Sequence, residues 1–296
     1  MEVGADFPPE KRKKVDDDSQ MSVRRWEDLP PDIWFKILSS SSSELTKALV
    51  LVRCAAISTA LRSLICNHSV LWATLDFSVM EVEPVYDSPS VLSGVSKALL
   101  SLDQGNVTTL VSSPYLGDDA FITYAAKRCL KLKRLVLPSC FTISDTGIYE
   151  AFRCWKDLVS LTISPDNTNF PYLLEQISSN CKNFSELKLM GTCDRGFAST
   201  LVAYLPKLKV LSLRCTKFTS SDLHIILNDL KQLQVLNISH CFWVQINWII
   251  LDKASRLQSF ITCMQFDRCI VCRVCHQRDK EDRWHEDEVD SLALNR

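Results

Sequence analysis

Apolar residues recur along most of the chain in a frame that alternates with polar positions, L-x-x-L-x-L. Aligned on this frame, the chain gives VTTLVS from Val107, LKRLVL from Leu132, LVSLTI from Leu158, FSELKL from Phe184, LKVLSL from Leu208, LQVLNI from Leu233 and LQSFIT from Leu257. Alternation with a period of two residues is typical of a half-buried β-strand. The frames therefore predict a series of short strands at nearly regular intervals.

The stretches between the frames carry apolar residues at a different spacing, i, i+3, i+4 and i+7, which is typical of an amphipathic helix. The spacing occurs at Ile122, Ala125, Ala126 and Cys129, at Ile148, Ala151, Phe152 and Trp155, and at Leu223, Ile226, Leu227 and Leu230. Each unit is thus a strand followed by a helix. Because neither element can bury its apolar side alone, the units must stack and share a core.

The central residues of successive frames lie 24 to 26 positions apart, at Leu110, Leu135, Leu161, Leu187, Leu211, Leu236 and Phe260. This period falls within the roughly 20 to 29 residues of a leucine-rich repeat. We therefore predict an α/β fold in which residues 107–266 form a curved leucine-rich-repeat solenoid. A parallel β-sheet is expected on its concave side and helices on its convex side.

The chain before the repeats divides into three parts. Residues 1–22 have too little apolar content to form a core, so we predict that they are disordered. Within them, Lys11–Lys14 resembles a nuclear-import signal, although a solvated charge run explains it equally well. Residues 23–78 have a helical pattern, and residues 79–106 are predicted to be a linker or an irregular first repeat.

Composition narrows the classes of function. The 296 residues are 46% hydrophobic, and 34 basic side chains stand against 35 acidic ones, so nothing favours binding along a nucleic-acid backbone. No apolar run approaches the ~20 residues that cross a bilayer, and the first residues lack a signal peptide's apolar segment. We expect the protein in the nucleus, the cytoplasm or both.

In that setting the 13 cysteines are expected to be reduced thiols. Several of them fall at similar places in successive repeats: Cys129, Cys140, Cys181, Cys193, Cys215 and Cys241. We predict that these sulfurs are buried in tight corners and have no redox role.

Residues 24–78 resemble an F-box. The motif's Leu-Pro, Ile and Ile-Leu are present as Leu29, Pro30, Ile33, Ile37 and Leu38, and its closing segment as Leu71, Trp72, Leu75, Asp76 and Phe77. The middle of the motif departs from the family pattern, since Ser58 replaces a cysteine and Leu61 a tryptophan. The whole chain looks like a plant F-box/leucine-rich-repeat protein.

The physical pattern of the first helix agrees with this resemblance. Pro30 and Pro31 suit the first turn of a helix, where amide hydrogens have no helical partner. In the stretch PDIWFKIL, apolar side chains cover well over half of the helix circumference, so one side can pack on the domain and another needs a partner.

The resemblance implies a non-catalytic subunit of a ubiquitin ligase of the Skp-cullin-F-box type. The F-box would dock on a Skp-type adaptor, and through it on a cullin, and the repeats would hold a target protein for ubiquitination. Matching the motif position by position implies that the residues in contact with the adaptor are Leu29, Pro30, Ile33, Ile37, Leu38, Leu61 and Trp72.

The sequence offers no catalytic residues and no cofactor motif. It contains no P-loop, no G-x-G-x-x-G and no G-x-S-x-G, and it has seven glycines in all. We therefore expect neither enzymatic activity nor a cofactor.

Strand positions that alternate with the buried leucines are predicted to project from the concave side. Together with the loops that follow, they form the candidate target-binding surface: Arg134, Glu186, Lys188, Arg214, Asn237, His240 and Trp243. The alternative for any one of them is a solvated strand position.

The C-terminal stretch, residues 267–296, is predicted to be a Cys/His-containing cap followed by an acidic tail. Its C-x-x-C-H at Cys272–His276 matches a haem-attachment pattern, but haem attachment requires an exported or organellar setting. A zinc site formed by Cys269, Cys272, Cys275 or His276, and His285 lacks a second pair at standard spacing. We therefore favour a cap without metal.

Two other classes of function remain open. The chain is a free-standing repeat scaffold if the F-box-like region is only an N-terminal cap. It is a small-molecule receptor if the solenoid encloses a pocket, but seven short repeats are few for a solenoid that does so.

Overall fold

A computed structural model of the chain describes residues 29–39, 56, 58–67, 72–77, 89–102, 105–113, 116–137, 143–163, 169–189, 191–193 and 196–263. Three predicted features lie outside these residues: the basic run Lys11–Lys14, the candidate zinc ligands Cys269, Cys272, Cys275, His276 and His285, and Cys140. None of the described helices is long and apolar enough to cross a membrane.

The described part of the chain contains one parallel β-sheet whose strands follow each other in chain order. The strands are β1 (Thr74–Asp76), β2 (Thr109–Val111), β3 (Arg134–Leu137), β4 (Ser160–Ile163), β5 (Glu186–Leu189), β6 (Val210–Ser212), β7 (Val235–Asn237) and β8 (Ser259–Ile261). Neighbouring parallel strands in unbroken chain order require one crossover per repeat, and a stack of identical crossovers is a solenoid.

Helices occupy the crossovers. They are α3 (Pro89–Leu102), α4 (Asp119–Arg128), α5 (Asp145–Cys154), α6 (Phe170–Asn180), α7 (Phe197–Tyr204), α8 (Ser220–Asp229) and α9 (Trp248–Ala254). Two further helices, α1 (Pro31–Ser39) and α2 (Thr59–Asn67), precede the sheet. The predicted α/β leucine-rich-repeat fold is confirmed.

The register of the sheet follows the predicted frame. Leu110 pairs with Leu135, and the ladder continues through all the predicted central residues: Leu161, Leu187, Leu211, Leu236 and Phe260. From Leu110 to Leu236 these leucines are completely buried on the helix side of the sheet. The side-chain period of two then places the residues on either side of each leucine on the opposite face.

The solenoid begins earlier than the first predicted frame. Strand β1 pairs with β2 from Thr74 to Asp76, which adds Leu75 to the leucine ladder. Helix α3, residues 89–102, lies within the segment that was predicted to be a linker or an irregular first repeat. It packs on α4 and buries Leu99 and Leu100. Strand β1 and helix α3 therefore provide a first strand and helix of the stack.

Most crossover helices begin at a side chain that satisfies a backbone amide of the first turn. Asp118 accepts a hydrogen bond from the Phe121 amide, and Thr219 forms a reciprocal capping box with Asp222. Ser144, Asn169 and Asn247 cap the starts of α5, α6 and α9 in the same way. These caps fix where each helix starts relative to the preceding strand.

Neighbouring helices are also joined at these starts. The first residue of α4, Asp119, accepts hydrogen bonds from the Ser144 amide (2.7 Å) and hydroxyl (2.6 Å), which belong to the next repeat. Asp145 accepts from the Asn169 side-chain amide (3.1 Å) in the same manner. We call these contacts start-to-start bridges, and they couple adjacent repeats at one edge of the stack.

Cysteines help to join the repeats. The Cys241 thiol donates to the Leu213 carbonyl (2.8 Å), and the Cys181 thiol donates to the Trp155 carbonyl (3.3 Å), each reaching back one repeat. Burial raises the pKa of the Cys181 thiol to about 12. Such a thiol stays protonated, so its environment agrees with the predicted structural role and gives no support to a reactive one.

Burial is less uniform among the other predicted corner cysteines. Cys129 and Cys215 are buried like Cys181, whereas Cys193 and Cys241 are partly exposed. No disulfide joins any pair of the eight cysteines within the described ranges.

Most of the buried apolar side chains belong to one continuous core that runs from α2 to the last crossover helix. It includes Ile65 of α2 and Trp72 at one end and Ile250 of α9 at the other. The Trp72 indole nitrogen donates to the Ile65 carbonyl at 2.7 Å. The end of the F-box segment is therefore built into the same core as the repeats.

Candidate protein-binding surfaces

The first candidate surface is one side of α1. The Pro30 carbonyl accepts hydrogen bonds from the amides of Ile33 (3.0 Å) and Trp34 (3.2 Å), which starts the helix. Ile33 and Ile37, one turn apart on the same side, expose 36% and 42% of their surface, whereas Trp34 is buried. We call Ile33 and Ile37 the isoleucine face. Two large aliphatic side chains exposed side by side are a feature of binding surfaces.

The other predicted adaptor contacts fall into different environments. Leu29 is half-buried and Pro30 is exposed beside the isoleucine face, whereas the side chains of Leu38 and Leu61 lie outside what the structure describes. Trp72 is completely buried in the solenoid core. There its indole nitrogen donates to the Ile65 carbonyl. The adaptor contact that the resemblance implies for Trp72 stays a prediction.

Ser58, one of the two departures from the F-box pattern, has a local structural explanation. It directly precedes α2, and its carbonyl accepts the Arg62 amide at 2.9 Å, as an N-cap residue does. Serine is among the preferred residues at that position. The serine therefore suits the start of this helix, a signal that the sequence comparison with the motif missed.

The second candidate surface is the sheet face opposite the helices, which we call the concave face. Two rows of residues cross it, one on each side of the leucine ladder. The row nearer the starts of the strands contains Arg134, paired with Ser160, and then Glu186. Both charged residues are partly exposed. Burial lowers the pKa of the Arg134 guanidinium and the Glu186 charge opposes this effect, so the two side chains interact across the face.

The row nearer the ends of the strands is buried across six strands. We call it the covered row, and its members are Val111, Val136, Thr162, Lys188, Ser212 and Asn237. Lys188 is only 2% exposed. Alternation placed Lys188 and Asn237 on this face, where both are buried. Their part in target binding stays a prediction.

Two of the predicted loop residues are buried as well. Arg214 and His240, which follow β6 and β7, are 7% and 2% exposed. His240 has a left-handed backbone conformation (φ 58°), and its amide donates to the Cys263 carbonyl of the last repeat at 2.9 Å. Both side chains are therefore buried in the stack, and their contact with a target stays a prediction.

Beyond the strand ends, the loops present an exposed aromatic group. Isolated parallel β-bridges pair Thr192 with Lys217 and Lys217 with Phe242, so these residues are aligned in three successive repeats. The Lys217 ammonium lies 5.8 Å from the Phe242 ring centre and 5.9 Å from that of Trp243. Trp243 is 72% exposed. We call Lys217, Phe242 and Trp243 the aromatic cluster.

Sequence reasoning identified Trp243 but missed Lys217. The missed signal is the spacing of 25 residues between Lys217 and Phe242, one repeat apart, which places the lysine beside the aromatic rings. Lys217 and Trp243 together offer a cation and an apolar surface, a combination common in protein-binding hot spots.

Metal-ligating side chains are not clustered in the described part of the molecule. No three side chains of His, Cys, Asp or Glu within the described ranges lie close enough to hold a metal ion. The two surfaces offer aliphatic packing on α1, and cationic and aromatic contacts at the loop ends of the repeats.

The fold and these surfaces define a leucine-rich-repeat protein with a helical segment at the start of its solenoid. The F-box/LRR-repeat protein At3g48880 of Arabidopsis thaliana is 39% identical over 308 aligned positions, covering 92% of this chain and 97% of that protein. The chain belongs to the family of plant F-box/leucine-rich-repeat proteins.

Other comparisons give weaker similarities. A putative F-box protein of Arabidopsis thaliana, At4g11580, is 27% identical over 58% of this chain and 56% of its own length. The putative F-box/LRR-repeat protein 9 of the same plant is 25% identical over 75% of this chain and 90% of its own length. No family model matches the chain. Among solved structures, a complex of TLR13 with single-stranded RNA aligns with 50% of this chain and with 25% of the TLR13 chain, at 18% identity. Its TM-score of 0.31 is too low to bear on function.

Proposed function

We propose that the protein is the substrate-recognition subunit of a Skp-cullin-F-box ubiquitin ligase. Membership of the F-box/leucine-rich-repeat family suggests this role. The observation that carries it is the isoleucine face, because Ile33 and Ile37 are exposed at the motif positions that pack on an adaptor in the family. Leu29 and Pro30 extend the same surface. The proposed partner is a Skp-type adaptor and, through it, a cullin.

The continuous core supports a positioning role for the solenoid. Because Ile65 and Trp72 share the core of the repeats, a target held on the repeats keeps a fixed orientation relative to α2, the second helix of the F-box segment. Proximity and orientation of this kind accelerate a transfer reaction without any bond-making group in the subunit. The protein itself is proposed to be non-catalytic.

The proposed target surface combines the aromatic cluster with the accessible charged residues of the concave face, Arg134 and Glu186. These lie on the same side of the sheet or at its loop ends. Exposed tryptophan and arginine are the residue types that dominate protein-binding energies. A protein segment with both acidic and apolar side chains has the complementary chemistry. We place the working complex in the nucleus, the cytoplasm or both.

A repeat scaffold without a ligase role is the second candidate, favoured by the departures from the F-box pattern at Ser58 and Leu61. Reconstitution distinguishes the two. Purified full-length chain is mixed with a plant Skp-type adaptor and a cullin, and the mass of the complex is measured by size-exclusion chromatography with light scattering. Co-elution at the mass of one copy of each supports the ligase receptor. Separate elution of the folded chain and the adaptor contradicts it and favours the scaffold.

A further inference from the structure

Lysines line the edge of the stack at which the helices end and the strands begin. Because the strands are parallel and in register, the helix-to-strand loops of successive repeats all meet at this edge. From the end of α4 to the start of β7 there are five such loops, which contain seven lysines and one acidic residue, Asp157. We call these lysines the basic edge: Lys131, Lys133, Lys156, Lys182, Lys207, Lys209 and Lys231. All seven are exposed, and each loop contributes at least one.

Helix ends account for part of the positive charge near this edge. A cation in the last helical turn complements the partial negative charge of the helix end, which explains Arg128 and Arg153. The Lys182 ammonium has a similar role, since it donates to the Ser178 carbonyl at 3.3 Å. Within the described ranges, the ammonium groups of the other six lysines have neither a hydrogen bond nor an ion pair. Their charges are therefore available to a partner.

Acidic side chains are collected at the opposite edge, where the helices begin. Asp118, Asp119, Asp145 and Asp222 all lie at helix starts. The net charge of −1 for the whole chain therefore conceals an edge that is strongly positive. Neighbouring strands are about 4.8 Å apart, and the Debye length at 0.1 M salt is about 10 Å, so lysines of adjacent loops repel each other. A partner with carboxylates placed along the edge replaces this repulsion with attraction.

The exposed neighbours of the lysines indicate a protein partner. Leu130 exposes 56% of its surface directly before one lysine, and Pro206 is exposed directly before another. Single-stranded nucleic acids are held by aromatic side chains on which bases stack, but the two aromatic residues of these loops, Trp155 and Phe184, are buried. An acidic protein segment that also carries apolar side chains matches both features.

We propose that the basic edge is a docking surface for an extended acidic segment of a partner protein. Five loops span four strand spacings, or about 19 Å, which roughly six residues of extended chain cover. Carboxylates of the segment pair with lysines of successive repeats, and its apolar side chains contact Leu130 and Pro206. The aromatic cluster lies at the other ends of the strands, so both surfaces can be occupied at once. The proposal does not depend on the ligase role, because the charge distribution belongs to the solenoid alone.

Peptide binding by the full chain tests the proposal. The probe is a fluorescein-labelled peptide of glutamate and leucine, roughly eight residues long so that it spans the edge. Its binding is measured by fluorescence anisotropy at low salt. The same peptide with glutamine in place of glutamate is the uncharged control and should not bind. Affinity for the acidic peptide should fall as salt is added, because salt screens exposed charges.

Charge reversal locates the binding site. Lys209→Glu should weaken binding at least about threefold, and Lys133→Glu combined with Lys209→Glu at least about tenfold, since each change turns an attraction into a repulsion. Lys97→Glu is the matched control, because Lys97 is exposed on α3, outside the basic edge, and the change in net charge is the same. Affinity of this control should stay within about twofold of the parent chain. Circular dichroism checks that the variants are folded.

Three results overturn the proposal. The basic edge is not a docking surface if the acidic peptide does not bind, or if Lys209→Glu and Lys97→Glu weaken binding equally. The class of partner is wrong if a duplex DNA of the same charge as the peptide binds the basic edge more tightly than the peptide does.

Discussion

The isoleucine face allows a quantitative test of adaptor binding through the double substitution Ile33→Ala and Ile37→Ala. Full burial of an isoleucine side chain contributes roughly 1.5 to 3 kcal/mol. The two residues leave 36% and 42% of their surface exposed, and a partner can bury at most this remainder. Together this is about 0.8 of one isoleucine, or about 1.2 to 2.3 kcal/mol. At about 1.4 kcal/mol per tenfold change, adaptor affinity should fall roughly 7- to 45-fold.

The assay is the dissociation constant of the full chain with a Skp-type adaptor, measured by isothermal titration calorimetry. Trp248→Ala is the matched control, because Trp248 is a large side chain, 75% exposed, in the last crossover helix at the other end of the stack. It should leave the affinity unchanged. Thermal unfolding of both variants should follow that of the parent chain, since none of the three side chains lies in the core.

Two results refute the reasoning. The isoleucine face is not the docking surface if the double variant is folded and binds the adaptor within twofold of the parent affinity. The effect is unspecific if Trp248→Ala weakens binding as much as the double variant does.

Three further predictions concern the stack. Asp119→Ala removes two hydrogen bonds from Ser144 at a partly exposed site, so urea unfolding should show a loss of about 1 to 2 kcal/mol; no loss shows that the bridge is not stabilising. Burial raises the pKa of the Cys181 thiol to about 12, so the folded state favours the protonated thiol. The stabilisation from this preference is complete below the unfolded-state pKa of about 8.5 and is lost as the pH rises towards 12. Relative to Cys181→Ala, the free energy of unfolding of the parent chain should fall by about 1.4 kcal/mol per pH unit in that window. Denaturant titrations in which the two free energies change in parallel with pH contradict this. Trp72→Phe keeps the apolar bulk but removes the bond to Ile65, so the thermal midpoint should drop by an amount equivalent to about 1 to 2 kcal/mol; an unchanged midpoint shows that this bond is unimportant.

The repeat frame could be read from the sequence because it depends on local periodicity. A one-residue slip moves every leucine to the wrong face, so the alternation around Leu135 and Leu187 determines the register without any knowledge of the neighbours. The same alternation placed Lys188 on the concave face. The first strand was harder to see, since the segment around Leu75 is followed by residues without the repeat spacing.

Accessibility could not be predicted in the same way. Whether Lys188 is solvated or enclosed depends on what lies over the sheet, which is a non-local property that no spacing in strand β5 encodes. Trp72 shows the same limit: the F-box motif marks this residue, but only the packing against Ile65 shows that it lies inside the core. Periodicity predicts which way a side chain points, and tertiary packing decides what it meets.

The start-to-start bridges join helices that belong to different repeats. They tie α4 to α5 and α5 to α6, and a related bond from the Gln245 amide to the Ser220 hydroxyl joins two later repeats. Sliding one of these repeats past the next at this edge breaks the bonds, so the bridges resist shear between neighbouring repeats and transmit a displacement of one helix to the next.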